Sequence, residues 1–475
     1  MQKGLTIVPP ETNSKASFLE GGGKMGELIR LFDWNQTPLG AIETWSQSLR
    51  NTVALILNNR FPMLLWWGPD YISIYNDAYI PILGTKHPWG LGKPVRECWS
   101  EIWNILRPLI DIPFSGGEAT WMDDISLLIN RKNFNEETHF TIAYSPVPDT
   151  NASGGIGGVL ATVNEITESV IEKRQMETLK ELGKNLSSVL VESDVYSKAA
   201  EALGSNLADL PFSLIYKIED EKSKASLVAA SGIGQDHPEL IQVVDLKNPI
   251  LKTKNVALAA NENKIVESEN DGRWKNLPKG IWDVMPQRYV HIPIKTAGKF
   301  PCAILSVGLN PYRQLNDSYK NFIKLIADQL SLCISNALTY EAERKRAAAL
   351  AEIDKAKTVF FSNISHEFRT PLTLMLGPLE DLLSRTQSHL TDEERNKIET
   401  THRNSMRLLR LVNNLLDFSR IEAGRAKAQF QLTDISKFTR DVAGSFRSAI
   451  ENAGLQFNVD CETIIEPVYV DRDMW

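Results

Sequence analysis

The chain has 475 residues, 43% hydrophobic and 23% charged, with a formal net charge of -7. That length exceeds one hydrophobic core and implies about three or four domains, while the acidic balance excludes the basic face of a nucleic-acid binder. The four cysteines, Cys98, Cys302, Cys333 and Cys461, are far apart and form no C-x-x-C pair, so a clustered zinc site and a disulfide scaffold are excluded and no metal is expected.

Residues 1–25 are polar and end in Gly21-Gly22-Gly23. They read as a flexible leader, because no Lys-Ser/Thr pair turns the glycines into a phosphate loop. Residues 26–165 carry a mixed α/β pattern. Met63–Trp67 and Tyr71–Tyr75 are strand candidates joined by Gly68-Pro69-Asp70, and a second pair, Thr138–Ser145 and Gly157–Val163, flanks the turn-rich stretch from Pro146 to Gly155. The large rings Trp66, Trp67, Trp89, Trp99, Trp103 and Trp121 either line a ligand pocket or fill the core. Core filling is favoured, since such rings dominate ordinary cores. The apolar run from Val53 to Trp67 is broken by Asn58, Asn59 and Arg60, so no segment reaches the roughly 20 residues of a membrane span. With no signal-peptide pattern, the expected location is cytoplasmic.

Residues 166–190 predict a linker helix with Ile171, Leu179, Leu182, Leu186 and Leu190 near one stripe. A second α/β block follows over 191–338. Its strand candidates are Ser213–Ile218, Ser226–Ala230, Tyr289–Ile294 and Cys302–Gly308, with a helix from Asp317. Phe322, Ile326, Leu330, Cys333, Ala337 and Tyr340 recur in steps of four and three, as a coiled-coil seam would. Residues 339–354, where that stripe weakens to alanine and charge, read as a signalling helix. Unbroken from Asp317 to His366, a helix would span about 70 Å.

The segment Phe360-Phe361-Ser362-Asn363-Ile364-Ser365-His366-Glu367-Phe368-Arg369-Thr370-Pro371-Leu372 is the most informative. Ile353, Ala356, Phe360, Ile364, Phe368, Leu372, Met375, Leu379 and Leu382 make one apolar stripe, and His366 lies about 200° around from Ile364. A histidine on the wet face is open to a partner. Neutral imidazole is nucleophilic near neutral pH, and one ring nitrogen attacks while the other keeps its proton. Glu367 can accept that proton's hydrogen bond, and Thr370, one turn along, can position a water. Pro371 leaves the Glu367 carbonyl without its helical donor. His87, His139, His237, His291, His389 and His402 lack such a setting and read as ordinary surface histidines.

Ser-His-Glu-Phe-Arg-Thr-Pro-Leu resembles the H-box of the HisKA family of sensor histidine kinases. The resemblance implies that His366 is autophosphorylated, that Glu367 assists as base or orienter, and that Glu367-x-x-Thr370 serves dephosphorylation of a response regulator. Residues 355–425 would then be a helical hairpin that dimerises into a four-helix bundle. The first helix ends near Leu383 and Ser384–Leu390 connects. Thr391 with Glu394 is a capping box, Ile398, Leu408, Leu411, Val412, Leu415, Leu416 and Phe418 face inward, and Gly424 ends the second helix. Upstream, Tyr75-Asn76-Asp77-Ala78-Tyr79 resembles the exit from the second strand of PAS domains, and the 191–338 layout resembles a GAF domain without a bilin-attachment cysteine.

Residues 426–475 offer strand candidates Gln429–Leu432, Leu455–Val459 and Val468–Val470 around a helix Asp434–Asn452. They resemble the opening of an ATP-binding domain, incomplete here. No Asp-x-Gly-x-Gly motif is present, and Gly154-Gly155-Ile156-Gly157-Gly158 suits a hairpin turn. The expected architecture is therefore multidomain α+β: PAS-like and GAF-like sensor domains, helical linkers, the hairpin, and a partial ATP-binding domain. The expected function is ATP- and Mg2+-dependent autophosphorylation on His366, then transfer to an aspartate of a response regulator. The expected partners are a second copy and an unknown small-molecule signal. The alternative is a non-catalytic sensor and dimerisation scaffold phosphorylated only in trans.

Overall fold

The computed structural model describes residues 18–384, 391–422 and 428–472, apart from positions 220, 235, 297, 299, 463, 465 and 467. Two compact units divide between Glu341 and Ala342.

The first unit opens with α1 (Gly23–Leu31) and α2 (Gln47–Leu57), followed by β1 (Met63–Trp67) and β2 (Ile72–Tyr75). The end of the expected leader is core: Leu19 and Met25 are fully buried, and Gly23 starts a helix with φ +63°. The Asp77 carboxylate accepts from Lys24 N and Met25 N at 3.0 and 2.7 Å, capping α1. A Cβ at Gly23 would sit 2.3 Å from Asp77 Oδ2, which is why this position is glycine. Asn76 is fully buried. Its amide donates to the Ile56, Asn59 and Phe61 carbonyls, and its Oδ1 accepts from Met63 N and Tyr79 N. One side chain thus fixes where the chain leaves β2.

Helices α3 (Ile80–Leu83), α4 (Val95–Cys98) and α5 (Trp103–Phe114) cross over to β3 (Thr120–Asn130), β4 (Asn135–Pro148) and β5 (Ile156–Glu165). The sheet is antiparallel in the order β2-β1-β5-β4-β3. β3, unmarked in the sequence pattern, is an edge strand, and its first five residues are mostly exposed. Between β4 and β5 the chain turns through Gly155 (φ +75°), while Gly157 and Gly158 already belong to β5.

After α6 (Thr167–Leu186) and α7 (Glu192–Leu203) come β6 (Phe212–Ile218), β7 (Lys224–Ser231), β8 (Val243–Asp245), α8 (Lys254–Glu262), β9 (Val266–Glu269), β10 (Arg288–Ile294), β11 (Ala303–Gly308) and α9 (Asp317–Ser384). Their sheet runs β8-β7-β6-β11-β10-β9. Side chains alternate across it as strand geometry requires. Ile215, Leu305 and Val307 face a core with α6, α7 and α9, whereas Leu214, Tyr216 and Ile304 face a second core under α8. The expected coiled-coil seam is part of the first core: Phe322, Ile326, Leu330 and Ala337 are buried against this sheet, and Tyr340 is 43% exposed. A stripe with steps of three and four fits any apolar surface, and here the surface is the block's own sheet. Leu190 likewise lies past the end of α6 and is exposed.

In the second unit α9 continues to Ser384, and α10 (Asp392–Glu422) follows. The expected connection at 385–390 and Gly424 lie outside the described residues. Thr391 N and Oγ1 both donate to Glu394 Oε2 at 2.9 and 2.8 Å, and Glu394 N donates back to Thr391 Oγ1 at 3.4 Å, a complete capping box. β12 (Gln431–Thr433) pairs antiparallel with β13 (Val468–Val470). The expected single helix is two, α11 (Ile435–Gly444) and α12 (Arg447–Asn452), and Leu455–Val459 forms no strand. Among the described residues no helix is long and apolar enough to cross a membrane.

Candidate functional site

His366, Glu367 and Thr370 all lie on α9 and are exposed. Their setting follows from what the hairpin buries. Leu372 and Leu376 on α9, with Val412 on α10, are under 9% exposed. Arg369 Nη2 donates to Asn413 Oδ1 at 3.4 Å, and His402 Nε2 lies 3.4 Å from Glu380 Oε1. Most of the expected stripe is not covered: Ile353, Phe360, Phe368, Met375 and Leu382 are 39–65% exposed, as are Leu408, Leu411, Leu415 and Phe418 on α10. The Thr370 hydroxyl, expected to hold a water, donates to the His366 backbone carbonyl at 3.1 Å. α9 continues through Pro371.

Among the described residues the first unit has several pockets, two of which are lined by residues of its sheet strands. A small apolar one is lined by Trp66, Trp99 and Tyr144. Trp66 Nε1 there is buried without a hydrogen-bond partner among the described residues. Trp67 is buried too, Trp103 packs at the edge of the core, and Trp89 and Trp121 are exposed, so those two rings neither fill the core nor line the cavity. The other, open at its mouth, lies between the β6-β11-β10-β9 face and α8. Phe212, Trp274 and Tyr289 form apolar walls. Its floor is His291, with Nδ1 2.9 Å from Ser306 Oγ and Nε2 3.1 Å from Ser268 Oγ. Burial pushes this imidazole down to about 4, so the floor is neutral. At the rim Lys252 pairs with Glu239 and stands 4.9 Å above the Trp274 ring, and Arg273 pairs with Asp271. Each rim cation thus already has a carboxylate.

The sequence did not point to this cavity, because its polar groups come from three strands and three loops with no shared spacing. Nor are the histidines other than His366 uniformly superficial. His291 sits in that floor, His87 Nδ1 lies 3.0 Å from Tyr75 Oη, and His139 is 8% exposed between Asp124 and Glu137. His389 falls outside the described residues. Among the described residues, no group of three His, Cys, Asp or Glu side chains could hold a metal ion.

Residues 356–424, the hairpin with His366 on its exposed face, match the His Kinase A (phospho-acceptor) domain. Over these residues the chain is similar to the His Kinase A family. The chain is 36% identical over 110 residues to hybrid signal transduction histidine kinase D of Dictyostelium discoideum, covering 23% of this chain and 7% of that protein. It is 27% identical over 219 residues to sensor histidine kinase TmoS of Ectopseudomonas mendocina, covering 43% of this chain and 21% of that one. The chain thus spans a minor part of the curated relatives it matches, and it is related to sensor histidine kinases through its His Kinase A hairpin. A GAF domain from an Acinetobacter phosphoenolpyruvate-protein phosphotransferase aligns with 35% of this chain and 95% of its own, at 16% identity and TM-score 0.27.

Proposed function

We propose that this chain is the sensing and phospho-accepting part of a two-component histidine kinase, with His366 as the residue phosphorylated. The observation that carries this is the His Kinase A match over a hairpin that leaves His366 exposed. In this reading a ring nitrogen of His366 attacks the γ-phosphorus of ATP, the bond to the β,γ-bridging oxygen breaks, and ADP leaves. Glu367 orients the imidazole and takes up its proton, and Thr370 positions water when the phosphoryl group is hydrolysed from a response-regulator aspartate. ATP and Mg2+ are co-substrates brought by an ATP-binding domain. The chain works in the cytoplasm, where its four thiols stay reduced.

The uncovered apolar residues of α9 and α10 support a second copy as the hairpin's partner, closing a four-helix bundle. The order of the first sheet and the cavity beneath α8 support PAS-like and GAF-like blocks that receive the signal, with an uncharged portion of a small ligand against His291. A scaffold phosphorylated only in trans is the competing reading. The test is phosphotransfer from radiolabelled ATP with a supplied histidine-kinase ATP-binding domain, comparing the chain with His366→Gln. Acid-labile, base-stable label on the unaltered chain alone is expected. Equal label on both, or none on either while a cognate control is labelled, overturns the role of His366.

A further inference from the structure

Within the first unit the two sheets meet at a buried ionic cluster that no sequence pattern marks. Arg174, on α6, holds two carboxylates at once. Its Nη1 and Nη2 donate to Glu137 of β4 at 2.7 and 3.3 Å, while Nε and Nη2 donate to Asp209, just before β6, at 3.0 and 2.7 Å. Glu137 is 2% exposed and Asp209 fully buried. The second block closes on the cluster from its other side. Asn310 Nδ2 donates to Glu137 Oε2 at 2.6 Å, Arg313 Nη1 to Asp209 Oδ1 at 3.3 Å, and Glu137 N donates to the Tyr312 carbonyl at 2.9 Å. On the first-block side His139 bridges Glu137 and Asp124 at 3.2 and 2.7 Å. Three carboxylates therefore face two guanidiniums and one imidazole, a set that balances when His139 is protonated.

From this cluster a chain of contacts leads to the cavity under α8. The loop between β9 and β10 carries Trp274 and Leu277 into the cavity wall. A few residues on, Asp283 accepts from the Tyr312 hydroxyl, Trp282 packs edge-on against the Tyr312 ring with centroids 5.5 Å apart, and Trp282 Nε1 donates to the Ala208 carbonyl at 2.8 Å. Tyr312 and Ala208 are each next to a cluster residue, Arg313 and Asp209.

We propose that Arg174 with Glu137 and Asp209 forms a coupling joint that makes the two sensor blocks one responding body, tied through Tyr312 to the loop walling the cavity. A charge buried with its partner resists separation, because either half alone would be left unpaired in a low-dielectric site. Displacement of the 270–285 loop is consequently delivered to β4 and α6 as well as to its own sheet. That last step rests on reading the cavity as the ligand site; the joint itself does not.

Hydrogen–deuterium exchange of the full chain, without ligand, tests the tie. Tyr312→Phe removes only the hydroxyl that reaches Asp283, and Glu137→Gln removes a charge on the first block alone. Each is expected to speed amide exchange about tenfold both in 277–285 and in 135–139. Glu137→Gln that accelerates 135–139 while leaving 277–285 at the unaltered rate overturns the proposal, and so does Tyr312→Phe confined to 277–285. Should Glu137→Gln fail to fold, Tyr312→Phe decides alone. A cavity that bound no small molecule would sink the sensor reading and leave this result standing.

Discussion

The first unit and the hairpin treat their hydrophobic residues in opposite ways. In the first unit Leu65, Ile74, Ile215, Leu305 and Ile326 are wholly buried by their own chain. On the hairpin Phe360, Leu411 and Phe418 are 57–64% exposed. Burying apolar area is worth about 25 cal/mol per Å2, so the first unit has its driving force within one chain, while the hairpin face needs another surface to realise the same gain.

The sharpest way to break this contrast is to put charge on the uncovered face. Leu411→Glu with Phe418→Glu is expected to convert a dimer to a monomer in light scattering while leaving the first unit's melting unchanged. A double variant that stays dimeric would place the dimer contact elsewhere. Next in size, Asn76→Ala should destabilise the first unit by about 3 kcal/mol, since it strands several buried backbone groups, with no change in dimerisation; chemical denaturation reads this directly.

The joint at Arg174 adds a pH signature to the first unit. Burial opposes ionisation of Glu137, but hydrogen bonds from His139 and Arg174 outweigh it and hold the carboxyl at about 2. Its contribution is present above the ordinary carboxyl range of about 4.5 and is lost as pH falls toward 2. His139 is raised: burial disfavours its proton, yet Glu137 and Asp124 more than compensate. Its contribution is complete below about 6.5 and is lost as pH rises through the elevated value. The joint by itself is therefore most stabilising between about 4.5 and 6.5, and His139→Gln should flatten the alkaline side of the first unit's melting profile. The smallest effect belongs to the hairpin. Thr391→Ala removes the capping box and should cost about 1 kcal/mol, seen as fraying at the start of α10 by hydrogen exchange.

How much was legible in the sequence follows the range of the interactions. The strands at Met63–Trp67 and Tyr289–Ile294, the helix from Asp317 and the Thr391–Glu394 cap depend on neighbours within a few residues, and they stand where the pattern put them. The similarity to the His Kinase A domain was legible because the block around His366 is contiguous. The cavity under α8 and the Arg174 joint were not, since each assembles residues more than 30 positions apart. The stripe from Phe322 to Ala337 was legible as apolar, but periodicity names a buried face without naming what covers it.

The Thr370 hydroxyl has one hydrogen, and the His366 carbonyl takes it. A water resting on that hydroxyl must come as a donor, with one O–H aimed at Thr370. Such a water keeps its electron pairs for whatever lies in front of it, and donating makes those pairs richer. In the proposed reading, a single turn of helix would thereby set the direction in which that water is reactive.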